Sequence, residues 1–108
     1  MFARNVSIRL KATTLADFTK TLENDVVPML RKQPGFRDEI AIASDDNTHV
    51  TAISLWDTKE QAEAYATTAY AAVLKTLDKF TDGEPKVRTS TVISSTAHKL
   101  TSAAVVAA

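Results

Sequence analysis

Few side chains in this 108-residue sequence combine a ring with a polar or titratable atom: Tyr65, Tyr70, Trp56, His49 and His98. Cysteine is absent, which rules out thiolate nucleophiles, disulfides and thiolate zinc sites. No Ser-His-Asp ordering can be picked out, and two glycines are too few for a phosphate-cradling loop or a dinucleotide fingerprint. His49 follows Asp45, Asp46 and Asn47, but an Asp-Asp-Asn-Thr run is ordinary hairpin-turn chemistry, and no metal site is assigned to it. Tyr65 and Tyr70 share the apolar face of a helical pattern, where a phenol packs its ring inward and brings its hydroxyl to the rim. Trp56 stands where a large ring can fill the junction between a strand and the following helix. Arg4, Arg9, Arg37 and Arg88 all fall in strand patterns and are expected to face carboxylates such as Asp38 and Glu39 on neighbouring strands.

The elements that carry these groups follow from periodicity. Residues 2–10 alternate, with Val6, Ile8 and Leu10 on one side and Asn5, Ser7 and Arg9 on the other, which predicts a half-buried strand. Leu15, Phe18, Leu22, Val26 and Met29 recur at helical spacing behind a Thr14-x-x-Asp17 cap, and Pro28 should kink or end that helix early. Pro34-Gly35 stops it. Residues 36–44 form a second strand, the polar turn 45–48 follows, and residues 49–56 form a third strand with small or apolar side chains on both faces. Thr58-x-x-Gln61 caps a long second helix running through Tyr65, Tyr70 and Val73 to Phe80, ended by Asp82-Gly83 and Pro85. Residues 86–96, rich in Val, Ile, Thr and Ser, make a fourth strand.

The order βαββαβ is that of a split βαβ unit: an α+β, ferredoxin-like layout with a four-stranded antiparallel sheet and both helices on one face. The sheet is expected to turn Val6, Ile8, Leu10, Ile40, Ile42, Ile53 and Leu55 toward the helices. That leaves Ala41, Ala43, Val50, Ala52, Trp56 and Val92 on the bare face. A bare sheet face calls for a cover, and the expectation is a homodimer packed sheet against sheet about a twofold axis. Residues 1–96 are assigned to the domain and 97–108 to a tail that is either disordered or crosses to the partner.

Thirteen Lys and Arg balance thirteen Asp and Glu, so no net positive field attracts a nucleic-acid backbone. A composition with 44% hydrophobic and 24% charged residues is that of a globular domain. With no targeting segment and no apolar run near the roughly 20 residues that span a bilayer, the expectation is a cytoplasmic protein without membrane partners.

Three features together carry a family likeness: Val27-Pro28-Met29-Leu30-Arg31-Lys32-Gln33-Pro34-Gly35-Phe36, Ser54-Leu55-Trp56-Asp57-Thr58-Lys59-Glu60-Gln61-Ala62, and the length and order of the four strands. On these, residues 2–96 resemble the dimeric α+β barrel superfamily that includes the antibiotic biosynthesis monooxygenase (ABM) domain. That superfamily spans cofactor-free oxygenases, haem-degrading enzymes and decarboxylase-like or isomerase-like proteins, so the likeness implies a fold more sharply than a reaction. Set against its haem-degrading members, Asn5 loosely matches their strand asparagine, Tyr65 their helical tryptophan, and Lys75 their iron-ligating histidine. An ammonium does not ordinarily ligate iron, which disfavours haem. The resemblance instead implies a monooxygenase that uses no cofactor and acts on an apolar or aromatic small molecule in the helix–sheet cleft. Asn5, Tyr65 and Tyr70 would be its catalytic groups, and Phe18, Trp56 and Lys75 would bind substrate. The alternative is a non-catalytic small-molecule-binding or stress-response module of the same fold. Cleft volume separates the two, since a ligand site needs several hundred Å³ with converging polar groups.

Overall fold

Alternation produces β1, Phe2–Arg9, the strand on which the sheet is assembled. In the computed structural model, which describes residues 1–100, β1 lies between β3, His49–Trp56, and β4, Lys86–Thr91. Beyond β3 lies β2, Phe36–Ala43, giving the order β2-β3-β1-β4 with every pair antiparallel. This is the ferredoxin-like α+β arrangement. β4 ends at Thr91, five residues short of the expected strand, after which the Val92 amide donates to the Met1 carbonyl at 3.0 Å. Residues 97–100 of the expected tail are described, and the remainder lies outside the described residues. Among the described residues no helix is long and apolar enough to cross a membrane.

Both helical layers are interrupted. The first comprises α1, Leu15–Thr21, a π-helical turn at Leu22–Val26, and α2, Val27–Arg31. Pro28 has no amide, and its ring presses on the carbonyl of Asn24, so the wider π register just before it absorbs the misfit. The irregularity therefore precedes Pro28 and leaves the last turn α-helical. Thr14 makes no side-chain cap; its hydroxyl donates to the Lys11 carbonyl at 2.7 Å. The second layer divides into α3, Lys59–Thr67, and α4, Tyr70–Leu77, followed by a 3₁₀ turn at Asp78–Phe80. The break falls where the Thr67 and Thr68 hydroxyls bond back to the carbonyls of Glu63 and Ala64, competing with the helix ladder. At its start α3 has the expected cap, since the Gln61 amide donates to Thr58 Oγ1 at 3.2 Å. Gly35, at φ +80°, brings the chain so close to Gln61 that an added Cβ would collide with that side chain.

The helices cover one sheet face and bury Phe18, Val26 and Trp56 almost completely. Full burial of such side chains contributes about 1.5–3 kcal/mol each. Register decides which strand residues share that face, because directly opposed residues point the same way. Val6 opposes Ala52, which opposes Ala41; Ile8 opposes Val50, which opposes Ala43. Val50, Ala52, Ala41, Ala43 and Trp56 therefore share the helix side of the sheet with Val6 and Ile8, although Ala41 and Ala43, at the edge, stay exposed. Ile40, Ile42, Ile53 and Leu55 belong with Asn5 and Ser7 on the bare face. This reverses the expectation for β2 and β3. Both strands alternate as expected, with the opposite face inward. The bare face is consequently more apolar than expected, with Ile40 51% and Ile42 54% exposed.

Candidate active site

β1 contributes an arginine to the helix-covered face. Arg4 is two residues before Val6, so strand parity points it inward, and it is only 4% exposed. Its guanidinium carbon lies 4.2 Å from the ring centre of Tyr70 and 5.2 Å from that of Tyr65, a cation–π arrangement with both phenols. Among the described residues no carboxylate lies within salt-bridge distance of it. The cross-strand pairing expected of these charges is replaced by other partners: Arg37 pairs with Asp57, and Asp38 lies 3.3 Å from His98. In register with Arg4 stands Ser54 on β3, and beyond it Glu39 on β2. One oxygen of Glu39, Oε1, is buried with no hydrogen-bond partner.

Between this polar row and the helices lies a partly open cavity of about 50 Å³. Arg4, Glu39, Ser54, Tyr65 and Tyr70 line it together with aliphatic side chains including Leu22, Val26 and Leu77, and the surface it offers is almost wholly apolar. The resting cavity is large enough for ordered water but too small for a multi-ring guest. Behind it, Trp56 stacks on Tyr65 with ring centres 4.9 Å apart, and its Nε1 donates to Ser54 Oγ at 2.9 Å. Burial pushes the Tyr65 hydroxyl up to about 12 and raises that of Tyr70, with Arg4 opposing the shift in both. Both phenols are therefore neutral donors near pH 7 and poor proton acceptors. Burial also raises Glu39 above the usual carboxyl range, with Asp38 adding to the effect.

The six residues singled out in the sequence separate in space. Tyr65 and Tyr70 meet at the cavity, and Trp56 supports Tyr65 from behind. Phe18 is core, edge-on to Phe80, and is not part of the cavity wall. Lys75 is exposed on α4 and does not line the cavity either. Asn5 faces away, opposite Ile53 and Arg88 on the bare face, where its Nδ2 donates to the Arg88 carbonyl at 3.4 Å. Sequence reasoning missed Arg4, Glu39 and Ser54 as a group. For Arg4 the signal was available, since it shares parity with Val6, Ile8 and Leu10. The hairpin turn has its own logic: Asp46 Oδ1 accepts from Thr48 Oγ1 at 2.6 Å and from Ser44 Oγ at 2.7 Å, which holds Asp46 down at about 2.

The family model for antibiotic biosynthesis monooxygenase matches residues 1–76. No curated protein matches the chain. Among solved structures, a monooxygenase from the gene ActVA-Orf6 of Streptomyces coelicolor, in complex with nanaomycin D, superposes with a TM-score of 0.73 at 21% identity. The match covers 87% of this chain and 88% of that one. SnoaB, a cofactor-independent oxygenase from Streptomyces nogalater, gives 0.70 at 13% identity over 90% and 97%. A conserved protein from Methanosarcina mazei gives 0.67 at 14% identity over 83% and 91%. At these identities the structural likeness is one of fold.

Proposed function

This chain belongs to the antibiotic biosynthesis monooxygenase family, and from that premise we propose that it oxygenates an apolar, aromatic small molecule in the helix–sheet cleft without a cofactor. The observation that carries the reading is Arg4. A guanidinium held among aromatic rings at the wall of an apolar cavity, with no carboxylate partner among the described residues, is preorganised for an anionic oxygen. An activated methylene beside such an oxygen can lose a proton and give an electron-rich anion that reduces dioxygen directly. One oxygen atom then becomes the product carbonyl and the other leaves as water with the two methylene hydrogens. Substrate supplies the electrons, so the balance needs no other reductant. Arg4 and the Tyr70 hydroxyl stabilise the anion, Tyr65 packs against its ring, and the aliphatic wall excludes bulk water. The descriptions of two fold relatives, one a monooxygenase holding nanaomycin D and one a cofactor-independent oxygenase, support this type of reaction.

The reading includes a homodimer in which the bare face, with Ile40, Ile42, Ile53 and Leu55, packs against its copy. Asn5 would then belong to the interface and not to the cleft. The second reading, a non-catalytic binding module, is favoured by the cavity volume of about 50 Å³, against roughly 300–1,000 Å³ for typical ligand sites. Oxygen uptake with a panel of quinols and anthrones, beside a haem-binding titration, decides between them. The monooxygenase reading expects uptake with one labelled oxygen in the product, and a loss of about 100-fold in kcat/KM in Arg4→Gln. Ligand binding without uptake across the panel would favour the binding module.

A further inference from the structure

Glu39 occupies an unusual place in the wall. It lines the cavity together with Arg4, Tyr65 and Tyr70, and it also lines an outer groove of about 400 Å³, with Val27 and the exposed Arg31 of α2 and Phe36, the exposed Arg37 and Asp38 of β2. One carboxyl oxygen is shut away from solvent without a hydrogen bond, although the residue as a whole is only half-buried. A buried, unpartnered carboxyl oxygen is unfavourable unless something else compensates for it. We propose that Glu39 is the proton acceptor of the site, taking a proton from substrate in the cavity and releasing it to the outer groove. This deepens the oxygenation reading and rests on it for the identity of the substrate.

In the proposed step a C–H bond of the substrate breaks, and its electron pair stays with the carbon and delocalises onto the oxygen facing Arg4. The proton forms an O–H bond on Glu39. No electron leaves the substrate, so the step is complete without oxygen. Three observations support assigning it to Glu39. The phenols are too weakly acidic to serve as bases near neutrality, since burial holds Tyr65 at about 12 and raises Tyr70. Burial and Asp38 raise Glu39 itself, which makes it a stronger base than an exposed glutamate while leaving it a carboxyl group. The row Arg4–Ser54–Glu39 spans two strand spacings, roughly 10 Å of backbone, so the proposed oxyanion site and base stand at opposite ends of one cross-strand row. The charged and titratable groups facing Glu39 are Arg4, Tyr65 and Tyr70 from the cavity, Arg31 and Arg37 from the groove, and Asp38 beside it in the chain. Of these, the Arg37 guanidinium is engaged by Asp57.

The test is hydrogen–deuterium exchange at the methylene of anthrone in D₂O without oxygen, read by mass spectrometry on the full chain. The wild type should accelerate exchange, with a rate that rises with pH to a plateau and a midpoint above the ordinary glutamate range. Glu39→Gln should lower the accelerated rate by roughly 100-fold and remove that midpoint, and Glu39→Asp should recover part of it. Thermal melts establish that each variant is folded; should Glu39→Gln unfold, the wild-type midpoint and Glu39→Asp carry the test. Equal exchange by wild type and Glu39→Gln, no acceleration by wild type, or a profile with no carboxyl midpoint would each overturn the assignment. Exchange that depends on Glu39 without any oxygen uptake in air would support it and remove the oxygenation reading. Uptake that proceeds equally in wild type and Glu39→Gln would do the reverse.

Discussion

Arg4 and Glu39 show how charge on a strand can be misread at the scale of single residues. Each has one polar and one apolar neighbour in the sequence, and cross-strand ion pairing is the usual fate of such groups. Parity already placed Arg4 with Val6, Ile8 and Leu10, and a charge on the inner face of a strand calls for an explanation of its own. Glu39 offered no such signal, because the extra residue at the Phe36/Asp38 irregularity changes the parity along β2. The tyrosines were legible, since Tyr65 and Tyr70 lie on the apolar helical stripe, and they do meet at the cavity. If the Tyr65 hydroxyl serves the reaction, Tyr65→Phe lowers turnover at least tenfold and leaves thermal stability nearly unchanged. Steady-state kinetics beside a melting curve checks this, and unaltered turnover would leave Tyr65 only its packing role against Trp56.

The βαββαβ order at the scale of elements could be read from alternation, Gly and Pro punctuation and the Thr58 cap, because those signals are local. What stayed hidden depends on partners far away in the chain. Ile40, Ile42, Ile53 and Leu55 are larger than Ala41, Ala43, Val50 and Ala52, and bulk alone suggested that they face inward. The helix side already holds two tyrosine rings, Trp56 and the Arg4 side chain, and the small Ala52 lines the cavity beside them. The division of the second helix at Thr68 was likewise concealed, since its apolar stripe runs through the break. The β2–β3 hairpin supports a pH prediction. Asp46 titrates at about 2 in the fold against 3.8 as its reference value. Because the folded value is the lower one, the stabilisation is fully present above pH 4 and is lost as pH falls from about 4 toward 2. Thermal melts across that window should show a steeper acid loss in wild type than in Asp46→Asn. Parallel curves would mean that the turn does not depend on the ionised carboxylate.

For the whole molecule, the two sheet faces divide the work. One holds the cavity, and the other exposes a row of aliphatic side chains that a monomer seldom leaves in water. Sedimentation at micromolar concentration should return a dimer, and Ile53→Lys should shift it to monomer while the melting curve of the separated chain changes little. A wild-type chain that stays monomeric would contradict the sheet-to-sheet assembly. The interruptions in the helical layers bear on what a cavity of about 50 Å³ can admit. The π-helical turn at Leu22–Val26 and the division at Thr68 both adjoin side chains of the cavity wall, Leu22 and Val26 in one case, Tyr65 and Tyr70 in the other. A roof jointed at two points can breathe while the floor of strands stays paired, so a guest several times larger than the resting void can enter without global unfolding. Amide protons near residues 22–26 and 66–70 should then trade with deuterated solvent faster than those of β1 and β3, and slow when an aromatic guest is bound.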